Sequence, residues 1–206
     1  LKTMQVQPPD TKRNPPEERI EDAVAKLRAA GTKGELAEAI ASEIIKYSLY
    51  ELQVIGGRVR QEIDKLPSPY REKVRPYFQQ QLFDVYNRLM SMQRSGGFSR
   101  MNGKIDDPVL FVEFLDAVPD GCLKDPEHSG TDFNFGDPIK SLFYYLLCCF
   151  TMFVMDEPGH PVGTPFPGGF IVEKRADGYY CPIRDKEEEV PFSICNFCPA
   201  KQMEGV

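Results

Sequence analysis

A mainly α-helical chain is predicted, a multi-helix bundle around one central apolar helix, closed by a small C-terminal β-hairpin and zinc-knuckle-like metal module. Three observations predict it. Apolar residues recur at helical spacing up to Met155, and the stretch Ser141–Met155 is uncharged and apolar on nearly every face. Beyond Asp156, helical periodicity gives way to prolines, glycines and half of the six cysteines. These shifts divide the chain into a mobile N-terminal arm over 1–16, a helical domain over 17–155 and a metal-binding segment over 156–206 packed on it.

The arm is polar and proline-rich, with Gln5-Val6-Gln7-Pro8-Pro9-Asp10 and Asn14-Pro15-Pro16, and cannot bury enough to offset its ordering. A helix is expected from Glu17 to Ala30, with Ile20, Val24 and Leu27 on one face and Gly31 as its stop. Thr32 and Glu35 form a capping box for a second helix carrying Leu36, Ile40 and Ile44. Gly56-Gly57 lies inside a helical pattern running to Leu66 and marks a kink or a close helix crossing. Pro67-Ser68-Pro69 ends that segment, and Tyr77, Phe78, Leu82, Val85, Tyr86 and Leu89 build the next amphipathic helix up to Ser95-Gly96-Gly97.

Asp107-Pro108 reads as an N-cap followed by a proline at the first helical position, introducing a helix over Val109–Val118 that Pro119-Asp120-Gly121 closes. The same signature at Asp137-Pro138 opens the most apolar helix, from about Ile139 to Met155, which belongs at the centre of the bundle. After it, Gly169–Glu173 and Tyr179–Cys181 are expected as hairpin strands around the turn Ala176-Asp177-Gly178.

Composition narrows the function classes. A hydrophobic share of 41% and a charged share of 27% are those of an ordinary globular protein. A formal net charge of −6 repels phosphate backbones, so nucleic acid is not an expected partner. The 15 residues Ser141–Met155 fall short of the roughly 20 needed to span a bilayer, so no membrane is expected either. Leu1–Asn14 shows no apolar run of a secretory signal, and the uneven cysteines suit a reducing cytoplasm better than a disulfide framework.

Chemistry concentrates near the C-terminus. Cys195-Asn196-Phe197-Cys198 is a C-x-x-C pair, whose spacing lets one tight turn present two thiolates to one ion, and Cys181 stands upstream at the end of the hairpin. His160, in the stiff loop Pro158-Gly159-His160-Pro161, is the expected fourth ligand, with Cys122 as its rival. Cys148 and Cys149, in the apolar helix, read as small core residues. Zinc is the expected metal and an iron–sulfur cluster the alternative. The tail has few apolar groups, so the ion is expected to replace a missing interior.

Other features carry weaker signals. Gly163–Gly169, with Lys174 and Arg175 nearby, reads as a stiff wall rather than an anion loop, because prolines donate no N–H. Asp185-Lys186-Glu187-Glu188-Glu189 reads as a solvated excursion. Asp125, Glu127, His128, Asp132 and Asp137 form an acidic loop that, with His160, is the place for a second site, although its ordinary reading is an exposed loop with Asp137 as a helix cap.

His160-Pro161-Val162-Gly163-Thr164-Pro165-Phe166-Pro167-Gly168-Gly169, then Tyr180-Cys181-Pro182, then Cys195-Asn196-Phe197-Cys198 resemble the uncharacterised family of methanogenic archaea called domain of unknown function 2115. The resemblance is closest over residues 150–200 and implies a cytoplasmic protein of an anaerobe, which raises the cluster option. It brings no reaction, substrate or partner. The leading expectation is a structural-zinc-stabilised binding or regulatory module with an unknown protein or small-molecule partner. The alternatives are a metalloenzyme using His160 and the loop 125–137, with its catalytic residues unknown, and an iron–sulfur redox protein.

Overall fold

The structure, a computed structural model, describes residues 15–124 and 135–205. The arm up to Asn14 and the acidic loop residues Asp125, Glu127, His128 and Asp132 lie outside the described residues. Helices α1 (Pro16–Arg28) and α2 (Lys33–Ile44) meet at the expected capping box. Thr32 Oγ1 accepts the Glu35 N–H at 3.2 Å and the Glu35 carboxylate accepts the Thr32 N–H at 3.1 Å. Two N–H groups that a helix start leaves without partners are thereby satisfied.

A second box, Ser48 with Glu51, separates α2 from α3 (Leu49–Lys65). α3 runs unbroken through Gly56-Gly57. Of the two roles expected for that pair, a close crossing is realised at Gly56, where an added Cβ would stand 3.2 Å from the Phe83 ring. α4 (Tyr70–Gln79), a π-helical turn over Gln80–Asp84 and α5 (Val85–Arg94) then follow one another as continuous helix.

α6 spans Pro108–Leu123, so Pro119 does not end it, contrary to expectation. The helix continues because its last turn is anchored: Val118 and Cys122 are buried, and Gly121 sits so close to Tyr145 that an added Cβ would meet its hydroxyl at 2.0 Å. That packing offsets the roughly 3 kcal/mol cost of an interior proline. α7 (Pro138–Cys149) passes into a second π-helical turn, Phe150–Val154.

Every residue from Ser141 to Val154 is buried, which confirms the central helix. Around it stand Tyr47 against Phe143 at 5.1 Å between ring centroids, Phe98 against Phe150 at 6.4 Å, and Phe111 and Phe114 each 5.2 Å from Phe153. Such tilted and edge-on pairs add about 0.5–1.5 kcal/mol each beyond the area they bury. Cys148 and Cys149 lie in this core, as expected. Among the described residues no helix is long and apolar enough to cross a membrane.

The C-terminal segment holds a small sheet in the order β1 (Glu173–Arg175), β2 (Gly178–Cys181), β3 (Lys201–Gln202). β1 and β2 form the expected hairpin, antiparallel, with Glu173 opposite Tyr180 and Arg175 opposite Gly178. Its first strand begins later than expected. Residues 169–172 instead fold back on the preceding loop, with Phe166 N–H donating to Phe170 O at 2.8 Å and Val172 N–H to Thr164 O at 3.1 Å. β3, parallel to β2, carries no sequence signal at its length of two residues.

The tail does not lack an apolar interior. It shares that of the bundle: Val172, Ile194, Phe197 and Ala200 belong to the same core as the helices, and the Phe197 ring stands edge-on to Phe114 at 5.5 Å. The Tyr145 hydroxyl of α7 reaches Phe192 O at 2.7 Å. Burial on a neighbouring scaffold therefore does the ordering that was expected of an ion alone.

Candidate metal centre

Cys195 and Cys198 stand at either end of a tight turn whose 3-10 helix runs Ile194–Phe197. Ser193 caps it, its side chain accepting the Cys195 N–H at 3.4 Å, and the Cys198 N–H returns to Cys195 O at 3.2 Å. Side chains pin the turn from outside. Asn196 donates to Val190 O at 2.8 Å, and the Arg184 guanidinium donates to Cys198 O at 2.9 Å and to Asn196 O at 3.2 Å.

Cys181 ends β2 opposite Gln202, and its carbonyl accepts the Met203 N–H at 3.1 Å. β3 begins three residues after Cys198, so the sheet brings the Cys181 backbone alongside the chain leaving the turn. The loop carrying His160 arrives from the other side. The N–H of Gly159, its neighbour in sequence, donates to Cys198 Sγ at 3.4 Å, while the His160 ring packs edge-on to Phe166 at 5.4 Å. Cys181, Cys195, Cys198 and His160 are all buried, and all six cysteines are outside any disulfide.

Two opposing influences act on Cys198. Burial is the larger and holds its thiol pKa above the ordinary value, while N–H bonds from Ala200 and Gly159 and the charge of Arg184 pull it down only in part. Cys122 differs: it is buried in α6, burial alone raises its pKa, and it lies within electrostatic reach of the Tyr47 hydroxyl. The sulfur-directed N–H groups and Arg184 were not singled out from sequence.

Among the described residues, no three Cys, His, Asp or Glu side chains are grouped so as to hold a metal ion. The structure gathers the segments bearing the four expected ligands, not a closed coordination shell. In the acidic loop only Asp137 is described, and it serves as the expected cap, accepting the N–H groups of Ile139 at 2.9 Å and Lys140 at 3.1 Å. The Gly163–Gly169 loop spends its N–H groups internally, Gly163 on Val172 O at 2.7 Å and Thr164 on Pro161 O at 3.0 Å, which fits a wall better than an anion cradle.

Residues 32–203 match the family described as an uncharacterized protein conserved in archaea, domain of unknown function 2115. The chain belongs to that family. The match takes in the helical bundle from the first capping box through β3, far beyond the C-terminal stretch that carried the resemblance. Relatives come from methanogens. A UPF0305 protein of Methanopyrus kandleri is 32% identical over 136 residues, 66% of this chain and 86% of that one. One of Methanothermobacter thermautotrophicus is 26% identical over 173 residues, 83% of this chain and 96% of its own. Another, of Methanocaldococcus jannaschii, is 22% identical over 170 residues, 82% and 96% of the two chains. No solved structure matches the chain at a significant level.

Proposed function

We propose that this family member is a non-catalytic binding or regulatory module whose C-terminal segment is locked by zinc on Cys181, Cys195, Cys198 and His160. The observation that carries the reading is the pair of N–H groups, from Gly159 and Ala200, directed at Cys198. Burial still leaves the free thiol pKa raised, so these bonds support a thiolate only once a cation has displaced the proton, as a coordinating thiol is deprotonated outright. The donor set fits zinc, which takes thiolate and imidazole in a four-ligand shell with no open position for substrate. On this reading the ion draws the four side chains together, a closure that the β2–β3 pairing beside Cys181 and the Gly159 bond to Cys198 support.

The rival reading treats the cysteines as small core residues, and is favoured by the apolar interior that the tail shares with the helices. Metal analysis of protein purified without added metal separates the two. The zinc reading expects about one zinc per chain and a colourless protein, with metal lost in Cys195→Ser and Cys198→Ser. Absence of bound metal establishes the rival. Iron with absorbance near 400 nm establishes the redox alternative instead. His160→Ala tests the fourth ligand, and unchanged zinc affinity passes that role to Cys122 or to water, which would reopen the enzyme reading.

A further inference from the structure

A cleft of about 380 Å3 opens where the helical bundle meets the C-terminal segment. It is lined by residues of both π-helical turns, by the loop 157–162 and by the β1–β2 hairpin. π-helical turns insert an extra residue into a helix and recur at functional sites. Two of them at one cleft, on separate helices, place the side chains of Gln81 and Thr151 where a regular helical register would not.

The cleft is graded in polarity. Its buried lining includes Gln81 and Thr151, and the Thr151 hydroxyl donates to Leu147 O at 3.1 Å while its oxygen can still accept. Arg88 and Glu157 neutralise one another through bonds of 3.0 and 2.8 Å. Asp84 and Lys174, both exposed and both lining the cleft, form no ion pair among the described residues, Lys174 resting instead over the Tyr179 ring at 5.5 Å. One anion and one cation are thus left over, and the lining charges sum to zero.

We infer that this cleft binds a small zwitterion of amino-acid size, its ammonium group on Asp84, its carboxylate on Lys174 and its body over Gln81 and Thr151. The volume lies near the lower end of small-molecule sites, which suits a single small metabolite rather than a nucleotide. With Arg88 and Glu157 answering one another, a lone anion would leave Asp84 unanswered and a lone cation would leave Lys174 unanswered, whereas a ligand bearing both charges engages each. The inference does not rest on the zinc reading, although the wall at Gly159 is shared.

The probes are the free L-amino acids, tested singly at millimolar concentration by amide chemical-shift changes and thermal shift on the full chain. At least one is expected to bind saturably, with shifts at Asp84, Thr151 and Lys174. Asp84→Asn and Lys174→Ala, both at exposed positions, each weaken it roughly tenfold or more, and the N-acetyl and carboxamide forms of the same amino acid weaken comparably. Failure of every amino acid to bind overturns the inference. So does equal binding of the acetylated form, or binding unchanged in both variants.

Discussion

The helical bundle and the C-terminal segment hold themselves together in different ways. In the bundle, the aromatic and aliphatic side chains around α7 bury one continuous interior, and polar groups act mainly at helix ends. In the tail the strands are two to four residues long, and side chains satisfy the main chain instead: Arg184 serves two carbonyls, Asn196 two more, and Gln202 joins Pro182 O to the Asp185 N–H. Apolar burial is tolerant of small shifts because it has no direction. A hydrogen-bonded turn is not, because a buried group left without its partner costs the full desolvation penalty.

The largest effect should come from the residue that joins the two regions. Phe114 touches Tyr145, Phe153 and Phe197, so Phe114→Ala should cost about 3–5 kcal/mol by urea unfolding, with helical and tail signals lost in one transition. Tail signals that melt separately would break the picture of a shared interior. Arg184→Ala should cost about 1–3 kcal/mol and act locally. Hydrogen exchange is expected to accelerate at Cys195–Cys198 while α7 amides stay protected, and uniform acceleration would contradict the division.

Smaller effects sharpen the same contrast. Thr32→Ala removes a cap far from the tail and should cost about 1 kcal/mol, lowering Tm without changing metal content. Asp177, at the hairpin turn, accepts bonds from the Tyr180 hydroxyl at 2.7 Å and Lys201 Nζ at 2.9 Å, which hold its carboxyl down at about 2. Its folded-state value lies below the ordinary one of about 3.9, so its small contribution is complete above that value and fades as pH falls towards about 2. A carboxyl titration by NMR with its midpoint at the ordinary value would show that the hairpin is not tied to β3 in this way.

What could be read from residue order follows the same division. Helix starts were legible where one side chain answers a neighbour, as at Thr32 and Asp137, because capping is local. Ser48 and Glu51 carry the same signature as Thr32 and Glu35 and separate α2 from α3. The π-helical turns were not legible, since one extra residue in a helix leaves no pattern in the sequence, and neither was the passage of α6 through Pro119, which depends on Tyr145. Hence Gln81, Thr151, Asp84 and Lys174, supplied by separate segments, gave no signal of the cleft they line. In the tail, spacing singled out the cysteines and the hairpin turn, but the apolar support from α6 could not be counted from the tail's own composition.

Zinc K-edge X-ray absorption of the purified chain puts the proposed centre to the most direct test. A shell of about three sulfurs near 2.3 Å and one nitrogen at about 2.0–2.1 Å is expected, with sulfur scattering diminished in Cys181→Ser. A spectrum of oxygen and nitrogen neighbours alone, or protein carrying no zinc to measure, would leave Cys181, Cys195 and Cys198 as packing residues.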